Sequence, residues 1–203
     1  MGKVKFRHFL VFPVVYVLLV LPAVITGRPF LDTITLYFNQ TGSIGDGLNY
    51  NSPSAFAFFQ YDLPEQYHEL ACKLGIAAAF IFMLVLLLVC YVNRKQLTDG
   101  SIVSAALLFA IGIPFLLPHM HDRYFFGADA LSLILAFIAP MYAAVALCVE
   151  FASLLGYHAF LKMRYLLLMD RGAWALLLAL AAVGLFFAMS LAKNRPSGKI
   201  GKF

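Results

Sequence analysis

Residues Pro118 to Leu133, PHMHDRYFFGADALSL, gather two histidines, two aspartates and an arginine directly after an uncharged apolar run. His119 and His121 lie two apart. On a helix they would point about 200 degrees from each other, whereas an extended turn would bring them to the same side. Pro118 disfavours helical angles at Leu117, so the apolar run is expected to end there and the His-Met-His stretch to form a turn. Three roles fit these residue types. A metal site would need a third and a fourth ligand, for which Asp122 or His68 can be nominated. Chance supplies an HxH pair beside an aspartate readily, and no metal is assigned to it. A phosphate site needs donors and positive charge. The Arg123 guanidinium offers a fork to phosphate oxygens, and a histidine near neutrality donates a hydrogen bond or takes up a proton. The third role is an interfacial anchor, in which Arg123, Tyr124, Phe125 and Phe126 fix the depth of a helix.

The elements that must position these residues follow from composition. The chain has 203 residues, 63% of them hydrophobic and 12% charged, with 20 Phe and 10 Tyr. Too few polar residues remain to cover a soluble globule, so an all-α, polytopic transmembrane helix bundle is expected. Leu74 to Asn93, Ser101 to Leu117 and Gly172 to Ala192 lack Asp, Glu, Lys and Arg for roughly the 17 to 25 residues that a hydrocarbon core requires. Phe9 to Thr26 is a fourth span, entered through Lys3, Lys5 and Arg7. A cleaved signal peptide also begins this way. Its exit, AVITG, is a poor small-residue cleavage site, and further apolar spans follow, which favours a retained span. The formal net charge is +5, but the basic residues sit at span ends, where topology signals lie, and not in an aromatic-interleaved patch that would bind nucleic acid. Cys72, Cys90 and Cys148 lie in or beside apolar segments without CxxC spacing and read as packing residues.

Ala128 to Arg171 divides in two ways. One long helix from about Asp129 to Phe151 makes five spans. A break at APMY, Ala139 to Tyr142, makes a short helix from Phe125 to Ala139 and another from Met141 to Leu161, hence six. The six-span arrangement places the basic tail, residues 193–203 with Lys193, Arg195, Lys199 and Lys202, in the cytoplasm, and is preferred on that ground. It also puts Glu150 near mid-membrane, where a neutral, hydrogen-bonded carboxyl inside the bundle is expected. Residues 1–192 then form a single transmembrane domain. With a cytoplasmic N-terminus, one long external loop runs from Gly27 to Glu69 and shares a face with PHMHDRYFF. Within it, RPFLDTITLYFNQ suits an interfacial helix with Phe30, Leu31, Ile34 and Phe38 on one side, and TGSIGDGLNYNSPS is loop-forming. The sequon at Asn39 is uninformative.

The PHMHDRYFFGADALSL stretch resembles the His-Glu-Arg-Tyr-Phe type segment in the C-terminal half of polytopic bacterial glycosyltransferases of the GT-C superfamily, which includes relatives of protein mannosyltransferases and the Alg-type glucosyltransferases. The similarity extends to LDTITLYFNQTGSIGDGLNYNSPSAFAFF, where Asn51, Ser52, Pro53 and Ser54 match an Asn-Ala-Pro-Asn type turn, and to VEFASLLGY, Val149 to Tyr157. It runs from about Phe9 to Leu191 and is most specific over His121 to Asp129. The resemblance implies six spans in the plasma membrane and transfer of a sugar from a polyprenyl-phosphate carrier to an acceptor at the outer face. Under it, His121 and Arg123 contact the carrier phosphate with His119 as helper, Asp122 orients one of them, and Asp129 is structural. No cofactor is implied. The family helix commonly carries Gln where Glu150 stands. Whole family members have more spans, and their catalytic carboxylates lie in the first external loop of an N-terminal half, so a separate membrane chain is an expected partner. Asp32 follows the first span here, but GRPFLD lacks a paired acid, and Asp32 is disfavoured as the base. A non-catalytic membrane subunit that binds the lipid carrier is the alternative. A transporter fits less well, for want of an internal repeat.

Overall fold

The computed structural model describes residues 10–36, 47–59 and 62–193. Lys3, Lys5, Arg7, Phe38, the Asn39 sequon, Arg195, Lys199 and Lys202 lie outside the described residues. The chain forms two compact units, Met1–Asp46 and Gly47–Phe203. In the first, α1 (Val11–Ile25) is an apolar helix with Pro22 in its last turn. A turn through Gly27, at φ 102°, leads to α2 (Phe30–Ile34), a single short helix at the expected interfacial segment. The Tyr16 hydroxyl donates to the Ile34 carbonyl over 3.0 Å and holds α2 to α1.

The second unit contains α3 (His68–Val92), α4 (Asp99–Leu116), α5 (Phe126–Ile138), α6 (Ala143–Lys162) and α7 (Met169–Lys193). Four stretches are long and apolar enough to cross a membrane: Glu65–Val92, Asp99–Leu116, Pro140–Lys162 and Met169–Lys193. They mark the chain as a membrane protein. The long helix from Asp129 to Phe151 is not formed. Ala139 leaves helical angles, at φ −138° and ψ 84°, and a 3-10 turn at Pro140–Tyr142 starts the next helix, because Pro140 restricts the residue before it and supplies no N–H to the helix behind it.

Contacts between elements define two ends of this unit. At one end, which we call the rim, Gly75 of α3 lies against Phe56 and the Leu116 carbonyl, Gly156 of α6 against Asn51, and Gly172 of α7 against Pro53. At the other end Ile138 meets Gly100, the Tyr142 and Phe186 rings are 4.6 Å apart, and the Ser101 and Ser190 hydroxyls are 3.0 Å apart. Thr98 caps α4 there, with the Ser101 side chain returning a bond to the Thr98 N–H, so orphan helix donors are satisfied without water. Helix α5 therefore runs from the rim to the opposite end with only 13 residues. The 3-10 turns flanking it, Asp122–Phe125 and Pro140–Tyr142, rise about 2.0 Å per residue against about 1.5 Å in an α-helix and lengthen the crossing.

In lipid the hydrophobic effect supplies no drive between helices, so close packing of small and branched residues must hold the unit together. The buried residues of α6 include Val145, Val149, Ala152 and Ala159, which recur at helical spacing around Gly156, and those of α7 include Ala173, Leu176, Ala179 and Val183. By contrast α3 buries only Ala79 and Leu86. Its exposed Leu74, Phe80, Ile81, Leu84 and Leu88 suit contact with acyl chains.

Candidate functional site at the bundle rim

The rim is organised by a short parallel pair, β1 (Asn49–Tyr50) with β2 (Met120–His121), in which Asn49 faces Met120 and Tyr50 faces His121. Leu117 is extended, at φ −75° and ψ 141°, and ends α4 as a residue before proline should. Ahead of β2, His119 takes φ 58°, and after β1, Asn51 takes φ 57°, the left-handed region that His and Asn enter more readily than most residues. The Asn49 side chain closes the turn. It donates to the Ser52 carbonyl over 2.7 Å and accepts from the Ser52 N–H over 3.2 Å.

This backbone separates the two histidines by role, although both rings lie against Tyr50, with centroids at 6.4 Å for His119 and 5.0 Å for His121. His119 Nδ1 is 2.7 Å from the Gly47 carbonyl, which can only accept, so the ring nitrogen there carries the proton. Its Nε2 then accepts from the Cys72 thiol at 3.4 Å, and its backbone N–H bonds the Leu48 carbonyl at 2.9 Å. Both ring nitrogens are occupied within the protein, which leaves His119 no donor for a phosphate. The His119→Ala variant is expected to lose about 1 to 3 kcal/mol of stability through unpaired rim groups, read as a lower Tm. If the rim holds a carrier phosphate, as the resemblance implies, affinity for it at a temperature where the variant stays folded should change less than about threefold, under 0.7 kcal/mol.

His121 is free by the same measure. Its ring stacks on Tyr50 at 16° and meets Tyr124 at 6.0 Å, and among the described residues neither nitrogen has a hydrogen-bond partner. Burial first, then the positive charge of Arg123, holds this imidazole below its ordinary range, while Asp122 acts in the opposite sense. Arg123 is exposed. Its guanidinium lies 5.9 Å from the Tyr124 ring centre, and among the described residues it makes no ion pair. The site therefore offers one planar cation without an ion pair among the described residues and one imidazole with open nitrogens, carried on β2 and on the 3-10 turn that follows it.

Asp122 is buried, 6% exposed, and forms no ion pair with Arg123 or His121 among the described residues, although its charge acts on His121. A β-carbon added at Gly156 would lie 3.0 Å from its Cβ, which places Asp122 against α6. Asp129 serves as a tie between helices: Ser153 Oγ donates to its Oδ1 over 2.6 Å and the Tyr157 hydroxyl to its Oδ2 over 3.4 Å. The hydrogen-bonded carboxyl expected at Glu150 is thus found at Asp129, while Glu150 itself, half-buried on α6, has no hydrogen-bond partner among the described residues. Asp32 lies in the first turn of α2 in the other unit, where an acidic side chain favours the helix dipole. His68 spends Nε2 on the Leu63 carbonyl at 3.1 Å. Among the described residues no three His, Cys, Asp or Glu side chains converge to hold a metal ion, and the three cysteines are unpaired thiols.

Two participants escaped the reading of the sequence. Tyr50, the ring on which His121 stacks, lies far from it in the chain, inside a stretch whose composition says only that it forms a loop. Tyr165 donates to Asn51 Oδ1 over 2.6 Å and ties the connection between α6 and α7 to the rim turn. Compared with known proteins, the chain matches no family model, no curated protein and no solved structure.

Proposed function

We propose that the rim of Gly47–Phe203 binds the phosphate of a polyprenyl-phosphate-linked sugar, and that the protein is a membrane glycosyltransferase, or its carrier-binding half, acting at the extracytoplasmic face. The observation that carries this reading is the Arg123 guanidinium, exposed and without an ion pair among the described residues, beside an imidazole with open nitrogens. In this reading α1 and α3 to α7 are six spans of the plasma membrane, with the N-terminus and basic tail cytoplasmic. The isoprenoid lies in the bilayer, so its phosphate meets the protein at headgroup depth, where a forked cation can pair with two of its oxygens. In sugar transfer the anomeric carbon–oxygen bond breaks and its electron pair passes to the phosphate. Arg123 and His121 then stabilise the charge that develops on the leaving oxygen more than they stabilise the ground state.

One observation favours the second reading, a non-catalytic carrier-binding subunit. Asp129 is tied to Ser153 and Tyr157, and Asp122 is buried against α6, so neither stands ready to activate an acceptor. A partner chain with an acidic external loop would supply that base. Transfer of labelled sugar from polyprenyl-phosphate donors, by membranes holding this chain alone and then with an N-terminal-half chain, separates the two. Activity only with the partner identifies a half-enzyme, and carrier binding without transfer in either case identifies the subunit. If neither binding nor transfer responds to Arg123→Ala and His121→Ala, the phosphate site is wrong.

The depressed basicity of His121 sets a pH dependence. The free ring is neutral near pH 7, and a bound anion offsets the repulsion from Arg123, so binding draws a proton onto the ring. Affinity for a polyprenyl-phosphate-linked sugar should rise about threefold to tenfold, or roughly 0.7 to 1.4 kcal/mol, from pH 7.5 to pH 5.5. The donor is a phosphodiester and keeps one charge over this window, unlike a monoester with a second pKa near 6. The His121→Asn variant should show a flat profile.

A further inference from the structure

We infer that the connection between α6 and α7 is a binding surface for anionic phospholipid, with Leu166, Leu167 and Leu168 seated among acyl chains and Lys162 and Arg164 on the headgroup phosphates. All the residues from Phe160 to Leu168, FLKMRYLLL, are exposed. Met163 is 87% exposed, Leu166 64% and Leu168 65%, and so long an apolar run on a surface marks an interaction site. The segment is held in place by the fold. Met163 takes left-handed angles, φ 51° and ψ 32°, and turns the chain out of α6. The Tyr165 hydroxyl donates to Asn51 Oδ1 over 2.6 Å, and the Leu168 carbonyl accepts from the Arg171 N–H over 3.1 Å.

Position and chemistry choose the occupant. The flanking helices belong to stretches that can cross a membrane, Pro140–Lys162 with 23 residues and Met169–Lys193 with 25. At 1.5 Å per residue these reach roughly 35 and 37 Å, against a hydrocarbon core of about 30 Å. Residues 163–168 therefore join them at the edge of that core. Their backbone forms neither helix nor strand, which bars it from the hydrocarbon itself, where irregular lipid-exposed backbone finds no partners for its N–H and carbonyl groups. The leucine side chains, in turn, are driven out of water. The boundary between headgroups and acyl chains meets both demands. Lys162 and Arg164 stand on either side of Met163, exposed and without an ion pair among the described residues. Their aliphatic stems can lie along acyl chains while the charged heads reach phosphate. Neither carboxylate of this region pairs with them: Asp170 has Arg171 Nε 3.8 Å away, and the cavity that Asp62 and Asp170 share with Tyr165 and Leu168 is not lined by Lys162 or Arg164. A partner chain would cover the leucines equally well, but it would have to displace lipid that the flanking spans already bring to this depth. The surface depends on those spans alone and stands whether or not Arg123 and His121 hold a carrier.

Trp174 is the single tryptophan, so Trp174→Phe combined with Leu167→Trp, both at exposed positions, moves the fluorophore onto the segment. With the full chain in phosphatidylcholine nanodiscs, emission from position 167 should be quenched by phosphatidylcholine brominated high in the acyl chain, less by lipid brominated near the chain end, and little by aqueous iodide. Each cation near an anionic surface adds about a fivefold preference at low ionic strength. Brominated phosphatidylglycerol should therefore reach half-maximal quenching at a mole fraction about fivefold or more below that of brominated phosphatidylcholine. Adding Lys162→Gln and Arg164→Gln should bring the two lipids within about twofold of each other. Leu166→Trp in the Trp174→Phe background repeats the measurement if the first variant loses its far-UV circular dichroism. Quenching by iodide and not by lipid would put the segment in water, and shielding from both would put a partner protein or a second copy on it. Either result overturns the assignment, as does equal quenching by the two lipids in the chain that keeps Lys162 and Arg164.

Discussion

Replacing Arg123 by alanine is expected to weaken carrier binding by about 2 to 3 kcal/mol, or roughly 30- to 150-fold, the range for hydrogen bonds that involve a charged partner. The size follows from what surrounds the guanidinium. It has no competing carboxylate among the described residues, so a phosphate does not first have to displace an ion pair. Its contact with Tyr124, at 5.9 Å, sits at the outer limit of a cation–π interaction and fixes direction more than it occupies the donors. Lysine keeps the charge but loses the planar fork. Arg123→Lys should therefore fall between wild type and alanine, about tenfold weaker, or 1.4 kcal/mol. Stability should hardly change in either variant, because the side chain is exposed. Affinity measured in nanodiscs by scintillation proximity with a radiolabelled carrier, alongside thermal melting, checks both statements.

The Gly156→Val variant should do the reverse and cost stability first. A β-carbon at this position would stand 2.9 Å from the Asn51 carbonyl oxygen and 3.0 Å from Asp122 Cβ, and the nearer of these is backbone that cannot swing aside. Overpacking of this kind costs about 2 to 3 kcal/mol, which for a chain of this length lowers Tm by roughly 5 to 10 °C. The displaced segments are the ones that carry the site, since Asn51 follows β1 and Asp122 follows β2. Carrier affinity should consequently drop even at temperatures where the variant remains folded. A Gly156→Val protein with wild-type Tm and affinity would show that α6 does not hold the rim in place.

What could be read from the sequence was local. Pro118 ends α4, and Pro140 breaks the segment after α5, because proline acts on its immediate neighbour through sterics that need no tertiary information. The apolar runs located α3, α4 and α7, but α3 begins at His68, before the uncharged stretch at Leu74. Glu69 and Lys73 pair at 2.7 Å one turn apart and carry the helix beyond the purely apolar boundary. Arg123 and His121 stood out by residue type. The division of labour between His119 and His121 did not, because it depends on Gly47, Leu48 and Cys72, which meet His119 only in the folded unit. A two-residue parallel pair between segments about 70 positions apart leaves no periodicity to detect. That Asp129, and not Glu150, holds the hydrogen-bonded carboxyl was not legible for the same reason: only the arrangement of α5 against α6 brings Ser153 and Tyr157 to Asp129.

The most direct test is photocrosslinking of the full chain in nanodiscs with a polyprenyl phosphate bearing a diazirine on the isoprene unit next to the phosphate, followed by peptide mapping. Adducts concentrated between residues 117 and 126, displaced by unlabelled carrier and lost in Arg123→Ala, are the expected outcome. Adducts confined to the opposite end of the unit, between residues 93 and 100 or 138 and 142, or labelling that unlabelled carrier does not displace, would contradict a phosphate-binding rim.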